Sequence, residues 1–448
     1  MIAKNRFYKS LFIQPRIFLG VAIVVVFYFL AFFLPQLDWL ATLVSLLFLA
    51  VGLTEIVLLF APRKGLELER KCPEMLSLGD HNRVNIEVNS NYTFPVQLEI
   101  IDEIPFQLEM RDFLIKDNLA NRERKTFEYE IRPFVRGEYD FGAVNAYVST
   151  SFIGFFQRRY RWKSQEKSQV YPSVIHMKEM ELRAFSSVHE LGGIKKMRRI
   201  GHSYEFDQIS EYVQGDDYRS LNWKATGRAN TLMVNRYEDE RSQPVYCIID
   251  AGRTMKMPFN RLSLLDYAIN STLALSNILL KKSDKAGLIT FSNEIHGVLN
   301  AANSVIQLNK ILNSLYKLNQ TGFEADYERL YHIASKTASV RGLLFLFTNF
   351  ESLHALRRVK HLLNRLNKKH LLVVIFFENT EIDTFAKRKS RTLEEVYQQS
   401  IGEDYLFQKE LMVKELNALR IQTILTRPED LSIGVINKYL ELKARGLI

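Results

Sequence analysis

Two long apolar runs lie almost end to end near the start of the chain: Ile17 to Leu34, which holds no charge, and Trp39 to Phe60, interrupted only by Glu55. About 20 apolar residues in a helix cross the ~30 Å hydrocarbon core of a bilayer, so each run is long enough to span. Only Pro35-Gln36-Leu37-Asp38 separates them, which predicts a tight transmembrane helix hairpin. A cleaved signal peptide fits poorly, because no small-x-small site follows the first run and a second span follows directly. Lys4, Arg6, Lys9 and Arg16 precede the first span, Arg63 and Lys64 follow the second, and Asp38 is the only charge between them. Positive flanks stay in the cytoplasm, so the chain after Phe60 is expected to be cytosolic, with both termini on that side. For Glu55, near the cytoplasmic end, snorkelling or a bond to a neighbouring helix is expected. A single acid in two spans makes no proton relay.

The 448 residues allow two or three domains, and 47% hydrophobic with 25% charged residues describes an ordered protein. A formal net charge of +10 suits nucleic acid or an anionic membrane surface. The hairpin favours the membrane, and without a recognisable reading module no nucleic-acid partner is expected. Cys72 and Cys247, far apart in a reducing compartment, need not pair.

After the hairpin (1–64), the stretch 65–175 alternates apolar and polar residues in short runs. Val84–Val88, Val96–Ile100, Phe127–Ile131 and Tyr139–Phe141 are separated by turn signals such as Gly79-Asp80 and Arg136-Gly137. This predicts an antiparallel β-sandwich of immunoglobulin-like type. A basic linker is expected over 176–243, densest at Lys195-Lys196-Met197-Arg198-Arg199. From 244 to 448, near-continuous apolar runs at Val245–Ile249, Ala286–Phe291, Leu343–Phe347 and Leu371–Phe377 read as strands buried on both faces. Helical periodicity fills the gaps at 262–280, 305–318 and 353–366, so a doubly wound α/β domain is predicted and the whole chain is α+β multidomain.

The densest chemistry lies within the linker, where Gly215, Asp216, Asp217, Arg219, Asn222, Trp223, Lys224 and Arg228 crowd into one segment before the strand-like Leu232–Glu240. Gly215 can take a left-handed turn, and Asp216 or Asp217 can cap a short helix through Trp223 and Ala225. Arg219 and Arg228 would then pair with carboxylates of the same segment. The result is either an ion-pair and aromatic staple between domains or a recognition surface. The order Gly-Asp-Asp-x-Arg-x-Leu-Asn-Trp-Lys-Ala-Thr-x-Arg, with Glu205-Phe206 and Glu211-Tyr212 before it and Glu238 to Glu240 after, resembles the signature of the bacterial domain of unknown function 58 family. One departure lies upstream, where Ser151-Phe152-Ile153-Gly154-Phe155-Phe156 stands in place of the Asp-Pro-Phe-Gly-Leu-Phe that the family often carries.

In open α/β sheets ligands bind at the carboxyl ends of strands, and the first strand here ends in Asp250-Ala251-Gly252-Arg253-Thr254. That run resembles the von Willebrand factor A fold, whose metal-ion-dependent site reads Asp-x-Ser-x-Ser with a threonine and an aspartate from later loops. The resemblance implies Asp250, Thr254 and Asn349 as metal residues. Gly252 lacks the middle oxygen and Asn349 lacks the second charge, so the set is degenerate; Glu324 or Asp326 could compensate. No cofactor is expected, magnesium being the one candidate.

Nothing catalytic stands out: the phosphate loop, the Gly-x-Ser-x-Gly elbow and the His-Glu-x-x-His pattern are all missing, and the nine histidines form no cluster. The family resemblance implies a non-enzymatic adaptor in the bacterial inner membrane. Its partners would be a MoxR-type AAA+ ATPase and other membrane or envelope proteins, in envelope or complex assembly. A hydrolase, or an extracellular adhesion protein of von Willebrand A type, is the alternative.

Overall fold

The computed structural model describes residues 10–163, 166–190, 205–214, 216–238, 242–386 and 392–447. The chain parts between Tyr171 and Pro172 into two compact units.

The first unit begins with strand β1 (Leu11–Ile13), followed by helices α1 (Arg16–Phe33) and α2 (Asp38–Phe60). Both helices are long and apolar enough to cross a membrane. Their side chains are mostly exposed, with only Ala31 buried on α1 and Ala41, Glu55 and Leu59 on α2. Ten strands follow: β2 (Leu66–Lys71), β3 (Met75–Ser77), β4 (Asn82–Ser90), β5 (Val96–Asp102), β6 (Ile115–Leu119), β7 (Arg124–Ile131), β8 (Gly137–Asp140), β9 (Val144–Thr150), β10 (Phe156–Trp162) and β11 (Lys167–Tyr171). They form a five-stranded sheet β1-β10-β9-β5-β6 and two three-stranded sheets, β2-β4-β7 and β3-β11-β8. Alternation does the sorting: Val84, Ile86 and Val88 of β4 and Val96, Leu98 and Ile100 of β5 are buried while the residues between them are not.

Two features depart from the expected hairpin and sandwich. β1, which precedes the first apolar helix, pairs with β10, so the N-terminal flank belongs to the sheet rather than to a separate hairpin. β11 pairs in parallel with β3, so the strands are not all antiparallel. Inside, the buried Arg70 of β2 bonds Asp102 of β5, Glu166 (2.9 Å) and the Gly142 carbonyl (3.1 Å). Tyr129 of β7 donates to the same Asp102 (2.6 Å). Strands from two sheets therefore converge on one charge pair.

The second unit opens with α3 (Val174–Glu190). A linker was expected from 176, yet Met177, Met180 and Ala184 are buried in the core of this unit. The densest part of the expected basic linker, Lys195–Arg199, lies outside the described residues. A hairpin of β12 (Glu205–Glu211) and β13 (Met233–Glu238) carries α4 (Trp223–Ala229) between its strands. Then come β14 (Pro244–Asp250), the short hairpin β15 (Pro258–Phe259) and β16 (Leu262–Ser263), α5 (Leu264–Lys281), β17 (Lys285–Phe291), β18 (Ile295–Ala302), α6 (Gln307–Lys317), α7 (Tyr327–Thr337), β19 (Leu343–Phe347), α8 (Leu353–Lys369), β20 (Leu371–Phe377), α9 (Thr380–Ala386), α10 (Leu393–Ala418), β21 (Gln422–Thr426) and α11 (Leu431–Ala444).

The main sheet runs β18-β17-β14-β19-β20-β21, parallel except for the edge strand β18. Its two faces have separate cores. Val245, Cys247 and Ile249 of β14 face α3, α5, α6 and α11, whereas Tyr246 and Ile248 pack with α7, α8 and α10. Helices on both faces explain why the central strands are apolar throughout.

Candidate functional site

Two places in the second unit concentrate polar chemistry: the carboxyl end of β14 and the arm that leaves β12.

Asp250 ends β14, is buried, and has both carboxyl oxygens taken by neutral donors. Its Oδ1 accepts from the Gly252 N–H (2.7 Å), and its Oδ2 accepts from Thr348 Oγ1 (2.8 Å) and the Tyr327 hydroxyl (3.3 Å). Tyr327 and Thr348 also share a hydrogen bond of 2.6 Å. Burial pushes the Asp250 carboxyl up to about 6 and the Tyr327 hydroxyl well above its ordinary value. Gly252 stands where the adhesion-type motif has serine, and there is no room for one. A Cβ at 252 would lie 2.9 Å from Asp250 Oδ1, 3.1 Å from the Phe323 carbonyl and 3.2 Å from the Ala325 nitrogen.

The neighbouring β19 turn is organised by a lysine. Asn349 Nδ2 donates to the Thr254 carbonyl (3.2 Å), and its Oδ1 accepts from Lys409 Nζ, which also donates to the Phe350 carbonyl (2.8 Å). Lys409 comes from α10, and burial brings its ammonium down to about 8. The two acids that could have compensated are also engaged. Glu324 pairs with Arg358 (3.0 Å) and Arg253 (3.3 Å), and the Arg358 bond holds its carboxyl below the usual range. Asp326 caps α7 through the Glu328 and Arg329 N–H groups.

The residues suggested for a metal are therefore already engaged with one another and with their neighbours. Each Asp250 oxygen already accepts from a neutral donor, Asn349 Oδ1 already accepts from a cation, and Thr254 is tied to Asn349 through its backbone carbonyl. Among the described residues no group of three or more His, Cys, Asp or Glu could hold an ion. Sequence reasoning missed Lys409 and Tyr327. Lys409 reads as one charge in a solvated helix, Gln408-Lys409-Glu410, and only the packing of α10 buries it.

The arm spends its acids and amide on its own backbone. Asp216 Oδ2 accepts from the Val213 N–H (3.0 Å), Asp217 caps the single turn Tyr218–Ser220 through Arg219 N–H (3.0 Å), and Asn222 caps α4 through Ala225 N–H (3.0 Å). The α4 cap is thus the amide, where an aspartate had been expected. Asn222 also donates to Asn235 Oδ1 (2.7 Å), and Thr226 Oγ1 accepts from Met233 N–H (3.0 Å), which fastens α4 to β13. Gly215 lies outside the described residues.

With the backbone satisfied locally, the large side chains point to solvent. Trp223 is 70% exposed and Tyr218 69%, and Arg219, Lys224 and Arg228 are exposed beside them. Neither Arg219 nor Arg228 pairs with a carboxylate among the described residues, contrary to the expected ion pairs. Arg219 instead lies over the Tyr218 ring at 5.8 Å. Among the described residues little packs on this indole.

A family model covers most of this arm and of the main sheet. The family model described as protein of unknown function DUF58 matches residues 208–383. An uncharacterized protein, YeaD of Bacillus subtilis (strain 168), is 21% identical over 242 residues, 52% of this chain; the match spans 58% of that protein's length. Among solved structures, the conserved hypothetical protein BatB from Bacteroides thetaiotaomicron is 12% identical and covers 43% of this chain and 98% of its own, with a TM-score of 0.30. A PapD-like domain of human CEP192 is 11% identical over 24% of this chain and 84% of its own, with a TM-score of 0.18. Neither structural likeness is close enough to carry an argument about function.

Proposed function

We propose that this chain is a non-enzymatic, membrane-anchored interaction module, and that its docking surface is the outward face of the β12–β13 arm. The observation that carries the reading is the division of labour in that arm. Asp216, Asp217, Asn222 and Thr226 hold the backbone, and Tyr218, Arg219, Trp223, Lys224 and Arg228 are left facing water. Tryptophan, tyrosine and arginine are the side chains that most often dominate binding energy, the two aromatics because they bury large areas at small entropic cost and arginine because its planar fork bonds and stacks. A fold has no internal use for an indole held out on a capped helix.

The α/β unit is von Willebrand factor A-like in this reading. Support comes from its strand order, 3-2-1-4-5-6 within the main sheet, with an antiparallel third strand and an aspartate ending the first. The membrane anchor is supported by α1 and α2. Arg16 at the start of α1, Arg63 and Lys64 after α2 and Asp38 at the junction of the two helices favour a second unit on the cytosolic side of a bacterial inner membrane. The partner is a MoxR-type AAA+ ATPase, by the family resemblance of the signature, in envelope or complex assembly.

The test is capture from the native cells by the detergent-solubilised full chain, with and without ATP and magnesium, beside Trp223→Ala. An AAA+ ATPase recovered by the parent and lost with the variant supports both partner and surface. Equal recovery by both moves the surface elsewhere, and recovery of no ATPase overturns the partner.

A further inference from the structure

Glu55 is buried within the apolar span of α2, and its carboxylate serves a turn of the β-sheet rather than another helix. Oε1 accepts from Thr150 Oγ1 (2.6 Å) and the Gly154 N–H (3.0 Å), and Oε2 accepts from the Phe155 N–H (3.0 Å). The same β9–β10 turn touches the start of α1. The Phe155 carbonyl accepts from the Gln14 N–H (2.9 Å), and Gly154, at a φ of 70°, lies so close to Arg16 that a Cβ would fall 2.9 Å from its Nη1. A side chain at 154 would be strained by the positive φ, and the Arg16 guanidinium would have to move aside.

The turn also runs along α2 towards its middle. The Phe155 and Phe48 rings lie 5.3 Å apart, and a Cβ on Gly52 would lie 3.5 Å from the Phe156 ring. Phe48 faces Gly20 on α1, so the turn stands level with the first turn of that helix. α1 has 18 residues, ~27 Å of helix at ~1.5 Å each, against ~30 Å of hydrocarbon. A helix that short cannot hold its first turn clear of the bilayer, so whatever lies level with Arg16 lies at the membrane boundary.

In water a surface turn needs no carboxylate, since solvent satisfies its N–H groups. At the edge of hydrocarbon those donors have no solvent partner, and irregular backbone is tolerated only where protein supplies the bonds. Glu55 supplies them. The tip of the turn is Phe152, 71% exposed, and Ile13, just before α1, is 62% exposed. The C-terminal end of α2, just beyond Glu55, is also tied: Arg158 donates to the Leu59 (2.7 Å) and Pro62 (2.8 Å) carbonyls, and Tyr92 donates to the Leu59 carbonyl (2.9 Å). The sheet is thus fastened to the helix pair at several points.

We propose that the Ser151–Phe155 turn is a wedge seated in the phospholipid leaflet beside α1, with Phe152 in the acyl boundary and Glu55 as the residue that positions it. The proposal rests on the reading that the two helices span a bilayer. It gives an acid inside an apolar helix a physical purpose.

The test uses the full chain in vesicles of phosphatidylethanolamine and phosphatidylglycerol, with Cys72→Ser and Cys247→Ala as background. Single nitroxide labels are placed through Val25→Cys, Phe152→Cys and Val340→Cys, the last an exposed reference in the second unit. Collision with lipid-soluble oxygen is compared with collision with a water-soluble nickel chelate. Protection from nickel at 25 and 152, with full relaxation at 340, is expected. Protection at 25 with nickel access at 152 overturns the wedge and leaves the spanning helices; nickel access at 25 overturns the spanning reading and the wedge with it. Adding Glu55→Ala to the 152 label should remove its protection, and unchanged protection would refute the positioning role.

Discussion

Replacing Lys409 with methionine should leave the protein about as stable at pH 7 but less stable than the parent near pH 10.5. Burial lowers the Lys409 ammonium from 10.5 to about 8, with the Glu351 charge opposing. In the unfolded chain the ordinary value returns. Between pH 8 and 10.5 the unfolded state therefore holds a proton that the folded state has released, and parent stability rises with pH across that window. At 1.36 kcal/mol per pKa unit, the gap amounts to ~3 kcal/mol that the charged lysine costs the fold at neutral pH. Methionine carries no such cost and fills a similar volume. It loses the bonds to Asn349 and the Phe350 carbonyl, together worth about 2–4 kcal/mol, so at pH 7 the two changes nearly cancel. Near pH 10.5 only the loss remains. Thermal unfolding of both detergent-solubilised proteins from pH 7 to 10.5 measures this directly, and the variant's Tm should fall below the parent's by roughly 6 °C at the upper end, at ~2 °C per kcal/mol. A difference that stays constant with pH would refute the reasoning, because it would mean that Lys409 keeps its proton throughout.

The other predictions concern the arm, the β-sheet charge pair and the closed acidic site. Trp223→Ala should leave Tm within roughly 1 °C of the parent while abolishing partner capture, since the indole is largely exposed; a large fall in Tm would restore the staple. Arg70→Ala should cost ~3–5 kcal/mol in unfolding, because it leaves Asp102 buried without its cation. Adding Asp102→Asn should recover part of that loss, and an additive double variant would show that the two groups do not act as a pair. Millimolar magnesium should leave Tm unchanged, because Asp250 and Asn349 are already satisfied; a concentration-dependent rise would reveal a site that the geometry does not offer.

The elements of both units were legible wherever periodicity alone selects them. The apolar runs became α1 and α2, and the alternating runs became β4, β5 and β7. The continuous ones became β14, β17, β19 and β20, since burial on one face or two writes itself into the residue pattern. The signature segment was legible as chemistry, although the roles of its residues were not. Sequence shows that Asn222 and Asp217 are capping types, but which one caps α4 depends on where the chain leaves the helix. Exposure of Trp223 was also undecided, because an indole among charges suits a staple, the plainer reading, as well as a recognition surface.

By itself the sequence determined the surroundings each segment suits: two N-terminal helices long and apolar enough to cross a membrane, a two-faced core for the central strands, water for the charged helix faces. That follows from local composition and period, which act over a few residues. Only the tertiary structure decided which polar groups meet. Lys409 reaches Asn349 across 60 residues, Thr348 reaches Asp250 across 98, and Glu55 reaches the Gly154 amide across 99. No local pattern marks these partners, because each bond depends on how whole elements stack. They settled that the acidic site is closed by neutral donors, and that the acid in α2 serves a turn of the sheet.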